Sequence, residues 1–303
     1  MIYDAIIIGG GFAGLSAATP LVRARRRVLV IDAGRSRNRF AAHSHGVLAH
    51  DGRSGRELLA TARAQLAEYP DFTLWSGEVL SLQQGDGAFS AHLDGARRAD
   101  GRRVILATGV SDPLPEIPGL AERWGKTVLH CPYCHGYEVG GGQIGVLANT
   151  PMSMQQASLI ADWGDVTFFT NGHAVLDETS CITLARRKVR VETVAVRAVE
   201  GEGTALSAVR LADGRAVPVR ALFVSVRAEQ SSSLAGQLGC EFEDTPGGLV
   251  VRTDAWKLSS VPHVYAAGDA ARFPQNISFA CADGVAAGIG VHHSLIAEEI
   301  GAI

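Results

Sequence analysis

The stretch Gly9-Gly10-Gly11-Phe12-Ala13-Gly14 lies near the N-terminus of this protein. It follows an apolar run, Tyr3 to Ile8, which is rich in β-branched residues and predicts a buried β-strand. Its glycines have the spacing G-x-G-x-x-G. In such a turn Gly9 permits the sharp bend, Gly11 lets the backbone approach a pyrophosphate, and Gly14 lets the next helix pack closely. The stretch therefore predicts a dinucleotide-binding βαβ unit.

The residues after this turn support the same unit. A second strand is predicted from Arg27 to Ile31, and it ends at Asp32. This carboxylate lies at a distance from Gly14 where it accepts hydrogen bonds from an adenosine ribose. Pro20 lies inside the expected helix and predicts that the helix is kinked or shortened.

Later features favour FAD over NAD as the dinucleotide. Ala107-Thr108-Gly109 ends a predicted strand, at a point where the backbone often returns to a bound flavin dinucleotide. Near the C-terminus, Val264 to Asp269 predicts a strand followed by Gly-Asp, which can bind the ribityl and pyrophosphate region. The small residues of Gly284 to Gly288 predict a helix that can pack closely under a flavin. Because the dinucleotide unit both opens and closes the sequence, it must enclose an inserted domain.

The domain boundaries are predicted from Pro- and Gly-rich stretches in a sequence of 303 residues. Residues 113–119 predict a rigid linker, and 244–248 predict the return. The predicted fold class is α/β, with a Rossmann-like FAD domain (1–113 and 245–303) interrupted by a smaller βαβ domain (114–244). Between the flavin motifs, 55–68 predicts an amphipathic helix and 72–110 predicts a small β-meander.

Composition limits the possible partners. The net charge is -3 and the short basic runs are typical of solvated surface, so nucleic acid is not expected. No uninterrupted apolar stretch of about 18 residues and no secretory signal is recognised, so no membrane association is expected. The five cysteines are an odd number, and only two are close in sequence. This pattern predicts a cytoplasmic protein with one redox pair.

The pair lies in the stretch 130–138, His-Cys-Pro-Tyr-Cys-His-Gly-Tyr-Glu. Cys131 and Cys134 can store two electrons as a disulfide, and the neighbouring histidines can tune a thiolate. C-x-x-C-H also occurs at haem attachment sites, but haem attachment would need export. Zinc would need two more ligands at suitable spacing, and the other cysteines are isolated. A pair of inert buried thiols is the remaining alternative, and no metal is expected.

The glycine turn, the mid-sequence C-x-x-C and the late Ala266-Ala267-Gly268-Asp269 together resemble the low-molecular-weight thioredoxin reductase family along essentially the whole sequence. The resemblance implies an FAD domain interrupted by an NADPH-type domain that begins with the C-x-x-C, and it implies a homodimer. It also implies that FAD is bound by residues Gly9, Gly11, Phe12, Ala13, Gly14, Asp32, His45, Gly46, Ala107, Thr108, Gly109, Gly268, Asp269, Gln275, Asn276 and Ile277.

Two departures from that family indicate that NADPH binding is lost. The turn after the predicted strand 143–148 is Asn149-Thr150-Pro151-Met152-Ser153, which has no glycine for a close backbone approach. The stretch 171–173 has no Arg or Lys where NADPH-using members place a basic cluster. This pattern, together with His135 where the family usually has Asp, resembles the FAD-dependent dithiol oxidases of gliotoxin and holomycin type.

That resemblance implies the roles of the redox residues. Cys134 is the inner thiol beside the flavin, and Cys131 is the outer thiol that exchanges with a small-molecule dithiol. His135 is the expected base and His130 the weaker candidate, while molecular oxygen is the expected final electron acceptor. Two alternatives stay open: a thioredoxin-reductase-like disulfide reductase fed by NADPH or another donor, and a flavin-bearing redox sensor.

Overall fold

The computed structural model describes residues 2–85, 87–172 and 176–301. These residues form nineteen β-strands and seven α-helices, numbered separately in order along the sequence. They are β1 (Ile2–Ile8), α1 (Phe12–Arg23), β2 (Val28–Asp32), α2 (Gly55–Ala67), β3 (Phe72–Ser76), β4 (Val79–Gln84), β5 (Phe89–Leu93), β6 (Arg98–Leu106), β7 (Val110–Ser111), β8 (Val128–Leu129), α3 (Pro132–Val139), β9 (Gln143–Leu147), α4 (Ser153–Ile160), β10 (Asp165–Phe169), α5 (Glu178–Arg186), β11 (Arg190–Glu192), β12 (Val196–Glu200), β13 (Ala208–Leu211), β14 (Ala216–Pro218), β15 (Ala221–Val224), β16 (Glu229–Gln230), α6 (Leu234–Gln237), β17 (Phe242–Thr245), β18 (Gly248–Val251), β19 (Val264–Ala266) and α7 (Ile277–Glu299).

The protein divides into two compact units. The first unit comprises Met1–Arg39, Arg56–Ser111 and Ala228–Ile303, and the second comprises Phe40–Gly55 and Asp112–Arg227. The first unit therefore contains the glycine turn and the Gly-Asp motif, whereas the second contains the cysteine pair.

The first unit is built on a seven-stranded sheet in the order β3-β2-β1-β6-β5-β4, with β19 paired to β6. β1 is parallel to both β2 and β6, so that Ile8 pairs with Ile31 on one side and Leu106 on the other. β1, β2 and the end of β6, from Val104 to Leu106, are buried apolar runs because both faces of a parallel sheet are covered. The strand predictions and the α/β class agree with this sheet.

The predicted β-meander at 72–110 is only partly correct. β4, β5 and β6 are antiparallel neighbours, as expected. β3, however, runs parallel to β2, with Phe72 beside Val28. Helix α2 makes the crossover between these two strands, and such a crossover makes the next strand parallel. Asp86, which lies within this stretch, is outside the described residues.

Helices α1 and α7 pack closely in the first unit. A Cβ on Gly284 would overlap the carbonyl oxygen of Ala13, and a Cβ on Gly288 would overlap that of Ala17 and contact the ring of Pro20. α1 runs through Pro20 to Arg23, so the helix is not shortened as predicted. Since the ring of Pro20 packs against α7, its position in the helix is supported by tertiary contact.

α7 is also the one helix in residues 2–85, 87–172 and 176–301 that is long and apolar enough to cross a membrane. Of its most apolar window, 44% is buried inside the protein. A core helix of a globular protein meets the same criteria, and the packing of α7 on α1 accounts for its apolar face.

The second unit contains a parallel sheet in the order β11-β10-β9-β15-β8 and a three-stranded antiparallel sheet, β12-β13-β14. β9 corresponds to the strand predicted for 143–148, and with α4 and β10 it forms a βαβ element. The sheet buries two apolar clusters, one on each face, which include Phe169 and Phe168 respectively.

The return to the first unit lies near residue 228, earlier than the predicted boundary at 244. β16 pairs with β7, and both Leu234 and Cys240 belong to the apolar core that includes β1 and β6. The Pro246-Gly247 pair forms the turn of the hairpin β17–β18, which produces the same sequence pattern as a linker. A second difference is that 40–55 belongs with the second unit.

Candidate functional site

The cysteine pair lies at the N-terminus of α3. Cys131 is the N-cap residue in an extended conformation, and Pro132 is the first helical residue. Proline suits this position because its missing N–H would have no partner inside the helix. Cys131 and Cys134 form a disulfide with their Cα atoms 5.3 Å apart. The partial positive charge of a helix N-terminus stabilises a thiolate, so this position favours reversible opening of the disulfide.

Two residues outside the motif support α3, and the sequence alone did not indicate them. Gln156 on α4 donates from Nε2 to the carbonyl oxygen of His130 at 2.7 Å. The indole of Trp163 lies so close to Gly136 that a Cβ there would be 2.8 Å from the ring. The same indole makes an edge contact with Tyr133, with ring centroids 5.7 Å apart. α4 and the turn after it therefore hold the redox helix in place.

His135 is the better placed of the two candidate bases. Burial lowers the pKa of its imidazole, while the negative charge of Glu138 opposes that shift and the positive charge of His45 adds to it. His135 is consequently neutral at neutral pH and able to accept a proton. The ring of His130 lies against backbone instead, with Nδ1 3.2 Å from the carbonyl oxygen of Val224. The catalytic roles of both histidines stay predictions.

The turn after β9 is closed by its own side chains. The hydroxyl of Ser153, a residue that is 1% exposed, accepts the N–H groups of Asn149 at 3.0 Å and Thr150 at 3.1 Å. The Thr150 hydroxyl donates to the Ser225 hydroxyl at 2.8 Å. In a nucleotide-binding turn these N–H groups would point at a pyrophosphate. Here they are used within the turn, in agreement with the missing glycine.

The stretch 171–173, where a basic cluster was predicted to be missing, is only partly described by the structure. Asn171 follows β10 and accepts the backbone N–H of Val196 through Oδ1 at 2.8 Å. Its side chain therefore serves the connection to β12. His173 lies outside the described residues.

The glycine turn of the first unit fits a bound pyrophosphate. Gly9 has φ +107, and a Cβ there would overlap the carbonyl oxygen of Ala107. A Cβ on Gly14 would overlap the carbonyl oxygen of Gly9, whereas one on Gly11 would have no atom within 4 Å. Gly9 and Gly14 are thus required by packing, and Gly11 faces open space. α1 begins after Gly11 with no side-chain cap, so its first N–H groups are available to an anion.

Asp32 lies beside this turn and is held by a residue that the sequence did not indicate. Arg63 of α2 donates to Asp32 Oδ2 at 2.6 Å and to the carbonyl oxygen of Gly10 at 3.2 Å. The Nε of Arg63 is buried and has no protein partner. Since a buried donor without an acceptor is unfavourable, a polar ligand group beside Arg63 would satisfy it. The adenosine end of FAD, with its hydroxyl and phosphate oxygens, fits this requirement.

The late Gly-Asp segment is joined to the loop after β2 by Arg37, a fourth residue that the sequence did not indicate. Arg37 Nη1 is 3.0 Å from Asp269 Oδ2 and also donates to Gln275 Oε1. Asn276 caps α7, because its Oδ1 accepts the N–H of Phe279 at 2.7 Å. The structure thus brings Asp269 and Gln275 together, and it gives Asn276 a structural role in starting the helix whose first residue is Ile277.

The remaining residues predicted to contact the flavin lie in two places, one in each unit. Ala107, Thr108 and Gly109 follow β6, and Gly109 has φ +67, which favours glycine. His45 and Gly46 lie in the second unit, where His45 Nε2 is 3.4 Å from Glu138 Oε1 on α3. Contact of these residues with FAD stays a prediction.

The comparison with known proteins decides the family. Residues 3–284 match the family described as pyridine nucleotide-disulphide oxidoreductase. The protein belongs to this family. Thioredoxin reductase tcpT of Claviceps purpurea is 34% identical over 311 residues, which cover 98% of the present sequence and 95% of that protein.

Two solved structures agree over almost the whole length. The oxidoreductase from Agrobacterium tumefaciens is 44% identical and superposes with a TM-score of 0.93, over 98% of the present protein and 99% of its own length. HlmI is 37% identical, with a TM-score of 0.93 and coverage of 99% and 95%. The resemblance to thioredoxin reductases, the α/β fold class and FAD as cofactor are confirmed. The protein is an FAD-dependent oxidoreductase with a disulfide-forming cysteine pair.

Proposed function

We propose that this protein is a dithiol oxidase, which forms a disulfide in a small-molecule dithiol through Cys131 and Cys134. The closed turn after β9 is the observation that carries the proposal, because Ser153 occupies the N–H groups of Asn149 and Thr150. NADPH would need those donors for its pyrophosphate. Electrons therefore enter from a thiol substrate. The resemblance of the stretch 131–138 to dithiol oxidases supports the same direction.

Disulfide exchange at α3 provides the chemistry. A substrate thiolate attacks the sulfur of Cys131, which forms a mixed disulfide and releases Cys134 as a thiolate at the helix N-terminus. The second substrate thiolate then attacks the substrate sulfur of the mixed disulfide, closes the product disulfide and releases Cys131. The substrate has then lost two electrons and two protons, and the cysteine pair is reduced.

His135 has the role of accepting protons in this exchange. Only the thiolate attacks, so each incoming thiol must lose its proton near Cys131. His135 follows Cys134 directly, and burial lowers the pKa of its imidazole, which keeps it in the accepting form at neutral pH. From His135 the proton passes to solvent.

FAD, when held by the glycine turn and the Asp32 and Asp269 regions, supplies the two-electron acceptor that returns the pair to its disulfide. We propose oxygen as the final acceptor. One dithiol and one O2 then give one disulfide and one H2O2, which balances electrons and protons. The proposal also includes a homodimer in the cytoplasm, which sedimentation of the purified protein and fractionation of cells would test.

Anaerobic stopped-flow spectroscopy tests the electron source. The oxidised holoprotein is mixed either with dithiothreitol or with NADPH, and the flavin absorbance is followed. Bleaching by dithiothreitol but not by NADPH is expected, followed by recovery and peroxide formation when air is admitted. Rapid bleaching by NADPH would refute the proposal and favour the disulfide reductase. Absence of bleaching by both would favour the redox sensor.

Variants of the pair test the exchange chemistry. Cys131→Ser and Cys134→Ser should each reduce dithiothreitol oxidation to background, because either change removes the disulfide. Both should retain flavin absorbance, since the cysteines belong to the second unit and the glycine turn to the first. Cys181→Ser, at an exposed cysteine of α5, is the matched control and should turn over normally. Full turnover by either pair variant would contradict the mechanism.

A further inference from the structure

The segment 40–55 is folded back on itself in the second unit. Ser44 and Arg53 form an antiparallel bridge, and the N–H of Gly52 donates to the carbonyl oxygen of Ser44 at 2.9 Å. The N–H of Gly46 donates to Asp51 Oδ1 at 2.7 Å. These bonds close a loop around His45. The position of His45 is therefore set by the backbone on both sides of it.

His45 lies between two carboxylates. Its Nε2 is 3.4 Å from Glu138 Oε1 of α3, and its Nδ1 is 3.5 Å from Asp51 Oδ2 of its own loop. The side chain of His45 is 21% exposed, against 40% for Glu138 and 69% for Asp51. An imidazole that is more buried than both partners connects the redox helix to a carboxylate in contact with solvent.

Glu138 is also a neighbour of His135. The two residues are three apart on α3, a spacing that places side chains on adjacent turns of one helix face. α4, which packs on α3, has the sequence SMQQASLI and contributes no ionisable group. The charged groups that act on His135 from the described parts of the second unit are therefore Glu138 and His45, with Asp51 behind them.

We propose that His45 is a positioning residue for the redox site: it pairs with Glu138, and the two charges together set the pH range in which His135 accepts protons from thiols. The inference rests on the proposed dithiol oxidation. It gives the segment 40–55 a role in proton transfer that is separate from any contact of His45 with FAD.

The direction of each effect follows from charge. Glu138 stabilises the imidazolium of His135 and raises its pKa, whereas a protonated His45 disfavours that imidazolium and lowers its pKa. Removing the charge of Glu138 should therefore lower the pKa of His135. Removing His45 should raise it, because Glu138 then acts on His135 alone.

The experiment compares Glu138→Gln and His45→Gln with the wild-type holoenzyme, using dithiothreitol and oxygen. The pH profile of kcat/KM reports the base of the free enzyme. Its acidic limb should move to lower pH in Glu138→Gln and to higher pH in His45→Gln. At a fixed pH on that limb, the rate relative to the plateau should change by about threefold in opposite directions, the size expected for one charge near a protein surface.

His50→Gln is the matched control, because His50 is an exposed histidine of the same segment. Its acidic limb should coincide with that of wild type. A second readout does not use turnover: the His135 resonance, assigned with His135→Gln, is titrated in 13C-histidine-labelled protein, and its midpoint should shift in the same two directions. This readout also covers a variant with low activity.

The outcomes separate the inference from the proposed function. Opposite shifts in Glu138→Gln and His45→Gln, with none in His50→Gln, support the role of His45. Normal turnover with unmoved limbs and midpoints, or with shifts of the same sign, overturns that role and leaves dithiol oxidation standing. If the wild-type holoenzyme does not oxidise dithiothreitol, the proposed function is refuted instead. The midpoints of the His135 titration in the two variants then show whether the charges of Glu138 and His45 act on His135.

Discussion

Gly136 is the residue that allows α3 to lie directly on Trp163. Alanine is a better helix former than glycine by about 1 kcal/mol, yet its Cβ would be 2.8 Å from the indole. Overpacking of this kind costs about 1–3 kcal/mol, which exceeds the gain. We expect Gly136→Ala to lower the free energy of unfolding in urea and to slow dithiothreitol oxidation, because the helix that carries Cys134 must shift.

Gly236→Ala is the control for this prediction. Gly236 lies in α6, and a Cβ there would have no atom within 4 Å. The substitution should stabilise the protein by up to about 1 kcal/mol, since alanine restricts the unfolded state. If Gly136→Ala were as stable and as active as Gly236→Ala, the contact with Trp163 would not position α3.

At the scale of elements, the close packing of α1 and α7 connects stability to flavin binding. A Cβ on Gly284 would overlap the backbone oxygen of Ala13, which cannot move without displacing the glycine turn. We expect Gly284→Ala to destabilise the protein by about 1–3 kcal/mol and to reduce the flavin retained per protein after gel filtration. Val285→Ala, at a neighbouring residue that is 41% exposed, should change neither quantity measurably. Full flavin retention in Gly284→Ala would contradict this link.

At the scale of the whole molecule, ion pairs connect the C-terminal end of α7 to residues far away in the sequence. Glu299 pairs with Arg26, which is 273 residues away, at 2.6 Å, and with Arg102 at 3.2 Å. The hydrogen bond from Arg26 is the main reason that the pKa of Glu299 falls from 4.5 to about 2. A carboxylate with a depressed pKa stabilises the fold above its unfolded pKa, and this contribution is lost as the pH falls.

The corresponding prediction concerns acid stability. Glu299→Gln should be less stable than wild type at pH 7, and the difference should shrink between pH about 4.5 and about 2. Urea midpoints measured across this range would check it. Glu202→Gln, in an exposed loop, is the control and should follow wild type at every pH. A constant difference between Glu299→Gln and wild type would exclude the ion pairs as its source.

Most of the local structure was predictable from neighbouring residues. The strands β1, β2 and β9 and the helix α2 agree with their sequence patterns to within a few residues. The pairing of β3 with β2 and the return near residue 228 were not predictable, because the Pro246-Gly247 turn of a hairpin resembles a linker in sequence. Such features depend on which surfaces bury each other.

The amino-acid sequence was enough to predict the dinucleotide turn, the redox pair and the absence of glycine from the turn after β9, because each is a short pattern whose geometry depends on adjacent residues. Which side chains from distant segments contact these motifs became known only from the tertiary structure. It placed Arg63 on Asp32, Gln156 on the His130 carbonyl and His45 on Glu138. Such contacts join segments far apart in the sequence, and they exist only where folding brings buried polar groups together to satisfy one another.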